Sequence, residues 1–310
     1  MKILLTGGSG MLGSAVKREL DERGFESEAP TSSELNLLST ISISSFLGDY
    51  RPTTIIHAAA RVGGIQANID NPYSYLTENI RMDSNLFSSA KDLKIQNLVY
   101  VGSTCMYPKD RDVPLREQDL LSGPLEPTNE GYALAKILGL KTVELVSKQF
   151  GLSWRTIIPS NMYGPGDHFE PNRSHLLAAI IMKVWDAKRI GAKTIEMWGD
   201  GSSRREFTYV GDVAKFIVLS LKNLDELPQY MNVGEGVDHS IKEYYEIVSK
   251  IMSFDGEIKA NLTKPTGMKR KLSDTSLAKQ HGWNPQTSLE TGIRETVKWF
   301  ESREEVTFIG

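Results

Sequence analysis

The most constraining feature of this sequence is a glycine-rich turn that follows an apolar segment near residue 1. Residues 2–6 form a strand-like run, and glycines at 7, 10 and 13 precede a segment of helical periodicity over residues 11–22. Glycine permits a tight turn and lets the backbone approach a pyrophosphate at a helix N-terminus. Ordinary strand-to-helix turns also use glycine for packing. The strand–turn–helix context nevertheless favours a dinucleotide site at Gly7, Gly10 and Gly13.

Strand-like apolar runs alternate with helical segments through the first half of the chain. This alternation is typical of parallel βαβ units, whose buried strands are continuous runs of valine, isoleucine and leucine. Strands are predicted over residues 2–6, 27–29, 54–57, 98–101 and 155–158, and helices over residues 11–22, 73–93 and 132–149. The sequence therefore predicts an α/β fold with a Rossmann-type, doubly wound parallel sheet.

The sequence changes character after residue 158, where a segment rich in proline, glycine and asparagine predicts a loop. Further helices are predicted over residues 175–188, 212–223, 240–252 and 289–302, and strands over residues 194–198 and 230–233. We expect the last of these strands to return to the first sheet. The predicted organisation is a nucleotide-binding domain of residues 1–161 and 207–234, with a smaller α/β substrate domain of residues 162–206 and 235–310.

Composition restricts the class of protein. The 310 residues include 36 lysines and arginines against 39 aspartates and glutamates, and this near-neutral balance gives no indication of nucleic-acid binding. The longest apolar run, residues 176–182, is far shorter than the roughly 20 residues of a membrane span. A single cysteine, Cys105, excludes an internal disulfide framework, and the five histidines lack metal-ligand spacing. With no signal-peptide pattern at the start, we expect a cytoplasmic enzyme or binding protein without a metal.

Three polar residues have the arrangement of a site that acts on a carbonyl group. Tyr132 and Lys136 are one helical turn apart, so both lie on one helix face. An ammonium beside a phenol favours the phenolate, so we expect Lys136 to lower the pKa of Tyr132 from about 10 towards neutrality. This spacing also occurs in ordinary surface helices. Ser103, directly after the strand predicted over residues 98–101, favours the catalytic interpretation, because α/β folds place their sites at this edge.

These motifs, taken together, resemble the extended short-chain dehydrogenase/reductase family over nearly the whole chain. Within that family the sequence resembles the GDP-L-fucose synthase subgroup, bifunctional enzymes that epimerise and reduce GDP-4-keto-6-deoxymannose. The narrower resemblance is carried by residues 57–68, 102–109, 125–130, 174–175, 198–201, 205–207 and 232–238.

The resemblance implies an activity and a set of catalytic residues. Ser103, Tyr132 and Lys136 match the residues of hydride transfer, and Cys105 and His175 match the base and acid of epimerisation. From residue type alone, the cysteine is more often a small buried residue and the histidine a helix-start residue. The expected reaction is the NADPH-dependent conversion of a GDP-4-keto-6-deoxy-D-mannose-type sugar to GDP-L-fucose or a related GDP-L-sugar. It comprises epimerisation next to the C4 ketone and hydride reduction at C4.

The same resemblance assigns contacts to substrate and cofactor. Lys183, Trp198 and Arg205 match substrate-binding positions, where cations suit diphosphate oxygens and an indole suits the guanine or sugar. The residues expected to bind the cofactor are Gly7, Ser9, Gly10, Met11, Leu12, Gly13, Lys136, Pro159, Asn161, Met162 and His175.

NADP(H) is the predicted cofactor. NAD sites place a carboxylate at the end of the second strand, and no residue here is well placed for that role unless Glu28 or Glu34 serves. No arginine is available for a 2′-phosphate either, although Ser9, Ser32 and Ser33 can donate hydrogen bonds to one. The prediction of NADP therefore leaves NAD open as the alternative.

Departures from the family pattern widen the range of expected sugars. Basic residues that the family often has near positions 9 and 32 are missing, residues 265–267 replace a Pro-Asp-Gly segment, and Gly211 replaces an acidic residue. Two alternatives are therefore a GDP-4-keto-3,6-dideoxymannose 5-epimerase/4-reductase (GDP-L-colitose synthase) and a GDP-4-keto-6-deoxyheptose 4-reductase without epimerase activity.

Two other classes fit the residues less well. A nucleotide-sugar 4,6-dehydratase needs an Asp-Glu pair after the strand-end Ser/Thr, but Thr104 is followed by Cys105 and Met106. An NADP-sensing regulator commonly lacks the tyrosine or the lysine, and both are present. The family also implies a homodimer that pairs through the helices predicted over residues 73–93 and 132–149.

Overall fold

A computed structural model describes residues 1–111, 114–170, 174–264 and 268–309, with the side chains of the last range described to residue 303. A fully parallel six-stranded sheet forms its centre. Its strands are β1 (Lys2–Thr6), β2 (Glu26–Glu28), β3 (Thr54–His57), β4 (Asn97–Val101), β5 (Ser153–Pro159) and β10 (Tyr230–Val233). They are ordered β2-β1-β3-β4-β5-β10, which confirms the predicted doubly wound α/β fold.

Strand order determines where this sheet can bind a ligand. The chain passes from β1 to β2 on one side and then crosses to β3 on the other side of β1. Such a reversal opens a crevice at the carboxyl ends of β1 and β3, because the flanking helices diverge there. As predicted, β10 returns to this sheet and pairs with β5.

Helices cover both faces of the sheet. They are α1 (Met11–Glu22), α2 (Thr40–Tyr50), α3 (Ile65–Asp70), α4 (Pro72–Asp92), α5 (Glu130–Phe150) and α7 (Val210–Ser220). Alternation along β1 separates two apolar cores: Ile3 and Leu5 pack with α1 and α7, whereas Leu4 packs with α2, α4 and α5.

Helix α2 was not predicted, because its serine-rich sequence has weak helical propensity. The side chain of Ser39 caps its first turn by accepting from the backbone N–H of Ser42 at 3.3 Å. Ile43 and Leu47, one turn apart, are fully buried against the sheet. Tertiary packing and one cap therefore form a helix that local preference does not indicate.

A second group of elements has its own apolar core. The strands are β6 (Asn161–Tyr163), β7 (Thr194–Trp198), β8 (Arg204–Arg205), β9 (Phe207–Tyr209), β11 (His239–Ser240), β12 (Glu257–Asn261) and β13 (Arg270–Lys271), and the helices are α6 (Leu176–Ile190), α8 (Ile241–Ile251) and α10 (Leu289–Ile309). Ile180, Val184 and Val248 are central members of this core. Helix α9 (Ser276–Gln280) instead lies against β10, and its Ala278 belongs to the first core. The pairings are β6 with β9, β7 with β12, and β8 with both β11 and β13.

The described ranges lack two features that would mark other classes of protein. No helix in them has both the length and the apolarity needed to cross a membrane. In the same ranges no cluster of three or more histidine, cysteine, aspartate or glutamate residues could hold a metal ion.

Candidate active site

The glycine turn after β1 is packed too closely for any other residue at two positions. Gly7 has a φ of +77°, and a Cβ there would lie 2.6 Å from the backbone nitrogen of Ala59. A Cβ on Gly13 would lie 1.9 Å from the carbonyl oxygen of Gly7. The turn and the first turn of α1 are therefore in direct backbone contact, as a dinucleotide site requires.

The start of α1 presents free backbone donors to this crevice. Gly10 is the N-cap residue, so the N–H groups of Met11, Leu12 and Gly13 have no acceptor within the helix. Together with the helix dipole, these donors suit a pyrophosphate. The side chain of Leu12 is buried in the core, so only its backbone can reach a cofactor, whereas Ser9 is exposed.

A loop after β6 closes over the same end of α1. Gly166 has a φ of +91°, and a Cβ on it would lie 3.2 Å from the Cα of Met11. The next residue, Asp167, is buried, and its Oδ1 accepts from the backbone N–H of His168 at 2.8 Å. This oxygen also lies 3.1 Å from Nδ1 of His175, at the start of α6. The loop thus brings His175 towards the cofactor crevice.

Asp167 controls the protonation of His175. Its hydrogen bond to the imidazole raises the pKa of His175, although burial acts in the opposite direction. The raised pKa favours the imidazolium, the form that donates a proton. Sequence reasoning missed Asp167, for which the only signal is a carboxylate directly after the Gly-Pro-Gly turn at residues 164–166.

Ser103 and Tyr132 meet as predicted at the carboxyl end of β4. The Ser103 side chain is close enough to Tyr132 to act on the pKa of its phenol, and the Ser103 hydroxyl accepts from the backbone N–H of Cys105 at 3.2 Å. Burial raises the pKa of Tyr132 well above its usual value, and the neighbouring Cys105 and Asp83 act in the same direction. The expected lowering of this pKa by Lys136 is not what the structure shows, because burial dominates the environment of the phenol. A neutral phenol is the form that donates a proton.

Lys136 lies deeper than a one-turn spacing suggests. Only 2 % of its surface is exposed, and its Nζ donates to the carbonyl oxygen of Val101 at 2.9 Å. The same ammonium lies 4.5 Å from the ring centroid of Tyr100. Burial lowers the pKa of Lys136, and the Asp83 carboxylate partly restores it.

Cys105 begins a second group of functional side chains next to the first. Its Sγ lies 3.3 Å from Nδ2 of Asn129 and 3.9 Å from Nζ of Lys271. A small cavity of about 20 Å³ lies between these residues, with Glu126 in its wall. Sequence reasoning assigned no role to Asn129 or Lys271. Their signals were present, since Asn129 lies in the family-like segment 125–130 and Lys271 in a basic cluster.

The three predicted substrate residues form two cationic patches. Lys183 donates to the carbonyl oxygen of Glu196 at 2.9 Å, and its Nζ lies 5.5 Å from the ring centroid of Trp198. Trp198 is half exposed, and so its indole is available for stacking. Arg205 on β8 is paired in register with Lys271 on β13, which places it beside the Cys105 group.

The remaining predicted cofactor residues lie next to the carboxyl edge of the sheet. Pro159 ends β5, and Asn161 and Met162 lie in β6, where Met162 packs against the first core. Beyond β2, the Glu34 carboxylate accepts from the backbone N–H of Thr31 at 2.7 Å, and this hydrogen bond lowers the pKa of Glu34. Glu34 is thus held within its own turn. Residues 265–267, the departure noted in the sequence, lie outside the described residues.

Comparison with known proteins agrees with this geometry. The model of the NAD dependent epimerase/dehydratase family matches residues 3–234. The chain is 44 % identical to GDP-L-colitose synthase of Yersinia pseudotuberculosis, over 97 % of this chain and 98 % of that protein. It is 37 % identical to GDP-L-fucose synthase of Escherichia coli, over 96 % of both chains. A solved Campylobacter jejuni structure, the GDP-mannoheptose C4 reductase MlghC with NADP bound, superposes with a TM-score of 0.88 at 28 % identity, over 97 % of this chain and 98 % of that one.

Proposed function

The chain belongs to the NAD dependent epimerase/dehydratase family of extended short-chain dehydrogenases/reductases, and on this basis we propose that it is an NADPH-dependent epimerase/reductase of a GDP-4-keto-6-deoxy-D-mannose-type sugar. The product is GDP-L-fucose or a related GDP-L-sugar. The observation that carries the proposal is the adjacency of two groups of side chains: Ser103 beside Tyr132, and a Cys105 thiol flanked by Asn129 and Lys271.

Reduction at C4 requires a hydride donor and a proton donor. NADPH, when bound at the glycine turn, supplies the hydride. Ser103 and Tyr132 orient the C4 carbonyl oxygen through their hydroxyls, and the Tyr132 phenol gives its proton to the oxygen as the alkoxide forms. The raised pKa of Tyr132 suits this direction, because the phenol is protonated before the transfer.

Epimerisation requires a base and an acid on opposite faces of the sugar. The carbons next to the C4 ketone have acidic protons, which a thiolate of Cys105 removes while Ser103 and Tyr132 stabilise the enolate oxygen. Lys271 supports the negative sulfur electrostatically. His175, kept protonated by Asp167, returns a proton from the other face and inverts the centre. This protonation at carbon converts the enolate back to the ketone, which is then reduced.

Positively charged side chains and an aromatic ring near the site suit a substrate that is anchored by a nucleoside diphosphate. Arg205 on β8 and Lys271 on β13 are neighbours across the two paired strands, next to Cys105. Two adjacent cations suit the oxygens of a diphosphate. Lys183 and the half-exposed Trp198 offer a charge and a stacking face for the guanosine. The GDP-linked sugars named for the similar proteins support the same class of substrate.

NADP(H) is the proposed cofactor. The unpaired N–H groups at the start of α1 and the close backbone contact of Gly13 with Gly7 fit a pyrophosphate. Ser9, Ser32 and Ser33 remain the candidates for contact with the 2′-phosphate. The NADP bound in the similar reductase supports this assignment.

Deuterium labelling distinguishes the proposed activity from its alternatives. The protein is incubated in D2O with NADPH and GDP-4-keto-6-deoxymannose, and in parallel with the 3-deoxy analogue or a GDP-4-keto-6-deoxyheptose. NADPH oxidation with deuterium at C3 and C5 supports the proposed reaction. Deuterium at C5 alone, with the 3-deoxy sugar preferred, supports GDP-L-colitose synthesis, whereas reduction without deuterium supports a 4-reductase. No NADPH or NADH oxidation with any of the three ketones contradicts the reductase assignment.

Two variants separate the steps. Cys105→Ser should abolish deuterium incorporation while leaving NADPH binding intact, because a serine hydroxyl is far less acidic than a thiol. Tyr132→Phe should abolish NADPH oxidation but retain slow exchange of the protons next to the ketone. Full epimerisation by Cys105→Ser would remove the cysteine from the mechanism.

We also propose a homodimer. The outer face of α5 exposes Leu134, Leu138 and Leu145, and the exposed ring of Tyr73 lies at the start of the adjacent α4. Apolar side chains in such an array favour burial against a second copy, consistent with pairing through these two helices.

The domain division expected from the sequence remains part of the proposal, with residues 1–161 and 207–234 binding the nucleotide cofactor. Residues 162–206 and 235–310 would bind the sugar nucleotide. A mechanism that depends on the free thiol of Cys105 fits a reducing compartment, so we further propose that the enzyme is cytoplasmic.

A further inference from the structure

A buried polar network lies behind the catalytic tyrosine and lysine and has no part in the steps above. Its centre is Asp83 on α4, which is 4 % exposed. The Tyr100 hydroxyl donates to Asp83 Oδ2 at 2.5 Å, and Nε2 of His57 lies 3.0 Å from Asp83 Oδ1. On the other side of the imidazole, Nδ1 lies 2.6 Å from Oγ1 of Thr6. The network therefore runs from the end of β1, next to the glycine turn, across β3 and β4 to α4.

The hydrogen bonds of this network define the role of each group. A carboxylate only accepts, so the Tyr100 hydroxyl and Nε2 of His57 both donate to Asp83. A buried carboxylate is costly, and such charges are normally paired.

Lys136 brings a buried ammonium next to this network. Its Nζ lies over the face of the Tyr100 ring, whose hydroxyl is bound to Asp83. The negative charge of Asp83 raises the pKa of both Lys136 and Tyr132. Lys136 is buried as deeply as Asp83, and its Nζ donates to the neutral carbonyl of Val101.

The packing of α4 on α5 makes room for this arrangement. Gly139 lies on α5 one turn beyond Lys136, and a Cβ on it would lie 2.3 Å from the Tyr100 hydroxyl and 2.6 Å from Asp83 Oδ2. Any larger residue would push α5 away from the Asp83–Tyr100 pair. Helix α5 thus carries Tyr132 and Lys136 one turn apart, and its Gly139 leaves space for the Asp83 carboxylate.

We propose that Asp83 is a positioning residue of the active site: its carboxylate is the buried counter-charge that holds Lys136 as an ammonium, one helical turn from Tyr132. Tyr100 and His57 hold the carboxylate in place. This inference rests on the proposed reductase function, because the reaction gives the charge of Lys136 and the proton of Tyr132 their importance.

The proposal predicts a change in pH dependence. The groups that face this cluster are His57 from β3, Tyr100 from β4, Lys136 and Tyr132 from α5, and Cys105 from the turn after β4. The Asp83 charge raises the pKa of both Lys136 and Tyr132. Removing it lowers both, so each group loses its proton at a lower pH. Since reduction needs a protonated Tyr132, the alkaline limb of kcat moves to lower pH.

Asp83→Asn tests this, because it removes the charge and keeps the shape. The alkaline limb of kcat for NADPH oxidation should move down by about one pH unit, while KM for the sugar nucleotide changes little. Thr6→Val is the matched control. It removes a hydrogen bond from the same network but no charge, and so it should leave the limb in place even if it lowers stability.

A second readout does not depend on turnover. Competitive acylation of lysines, followed by mass spectrometry as a function of pH, reports the protonation of Lys136 directly, and its midpoint should also fall by about one pH unit in Asp83→Asn. If the wild-type protein reduces none of the sugars, the proposed function fails, but the acylation midpoint still decides the role of Asp83. An unchanged midpoint and an unchanged limb in the folded variant would overturn the inference.

A double variant covers the case in which Asp83→Asn does not fold. Charge pairing predicts that Asp83→Asn combined with Lys136→Met is more stable to heat than Asp83→Asn alone, because no uncompensated buried charge remains. A double variant that is no more stable than the single one would contradict the pairing.

Discussion

Alanine at position 13 is a direct test of the glycine turn. The new Cβ would lie 1.9 Å from the carbonyl oxygen of Gly7 and 2.6 Å from its carbonyl carbon. Ordinary contacts of this kind are 3.4–4 Å, so the turn and the start of α1 must separate by roughly 1.5 Å. Both groups in conflict belong to the backbone, which no rotamer change can relieve.

The backbone at Gly7 cannot move away from the new Cβ. Gly7 is held from behind by the segment after β3, where a Cβ on Gly7 would lie 2.6 Å from the backbone nitrogen of Ala59. The start of α1 must therefore move, and with it the N–H groups of Met11 and Leu12 that we expect to bind the cofactor. Overpacking of this kind costs roughly 1–3 kcal/mol of stability. We expect NADPH binding to weaken by at least about tenfold, or about 1.4 kcal/mol.

Gly48→Ala is the matched control for the Gly13→Ala variant. Gly48 lies inside α2, and a Cβ there would meet nothing within 4 Å. Alanine is the better helix former by about 1 kcal/mol, so this variant should unfold at a higher temperature and bind NADPH unchanged. Thermal unfolding and NADPH fluorescence titration measure both quantities. A Gly13→Ala variant that binds NADPH like the wild type and unfolds at the same temperature would refute the reasoning.

Three further predictions concern the site and the assembly. Asp167→Asn replaces the carboxylate that raises the pKa of His175 with a neutral amide, so deuterium exchange next to the ketone should be lost first at alkaline pH. An exchange–pH profile identical to that of the wild type would contradict this. Lys271→Met removes the charge 3.9 Å from the Cys105 sulfur and should slow that exchange about tenfold or more. NADPH affinity is its control and should stay unchanged. Leu145→Glu places a charge on the exposed apolar face of α5 and should give a monomer in light scattering; a persisting dimer would exclude this face as the interface.

Local pattern was sufficient for much of the fold. The predicted bounds of β1, α1, β3, β7 and β10 agree with the structure to the residue. These segments combine strong apolar runs or clear helical periodicity with glycine, proline or asparagine at their ends, and so local preference and tertiary packing agree. Helices α2 and α3 were missed because their local sequence is ambiguous and packing decides their conformation.

The active site was only partly visible in the sequence. Motif spacing identified Ser103 and Tyr132, because both follow from positions within a few residues of a strand end and a helix start. Asp167, Asn129 and Lys271 contact His175 or Cys105 from positions 8, 24 and 166 residues away along the chain. Spacing along the chain does not indicate such contacts.

The sequence by itself determined the fold class, the glycine turn and the chemical types of the candidate catalytic residues, because these depend on short-range order along the chain. Only the tertiary structure decided how those residues are charged. Tyr132 was expected to have a lowered pKa from its neighbour Lys136, but burial raises it and thereby suits the phenol to proton donation. The charge of Lys136 depends in turn on Asp83, which α4 brings against α5 at Gly139. Desolvation and through-space charge act over distances in the folded molecule, so the order of residues along the chain does not reveal them.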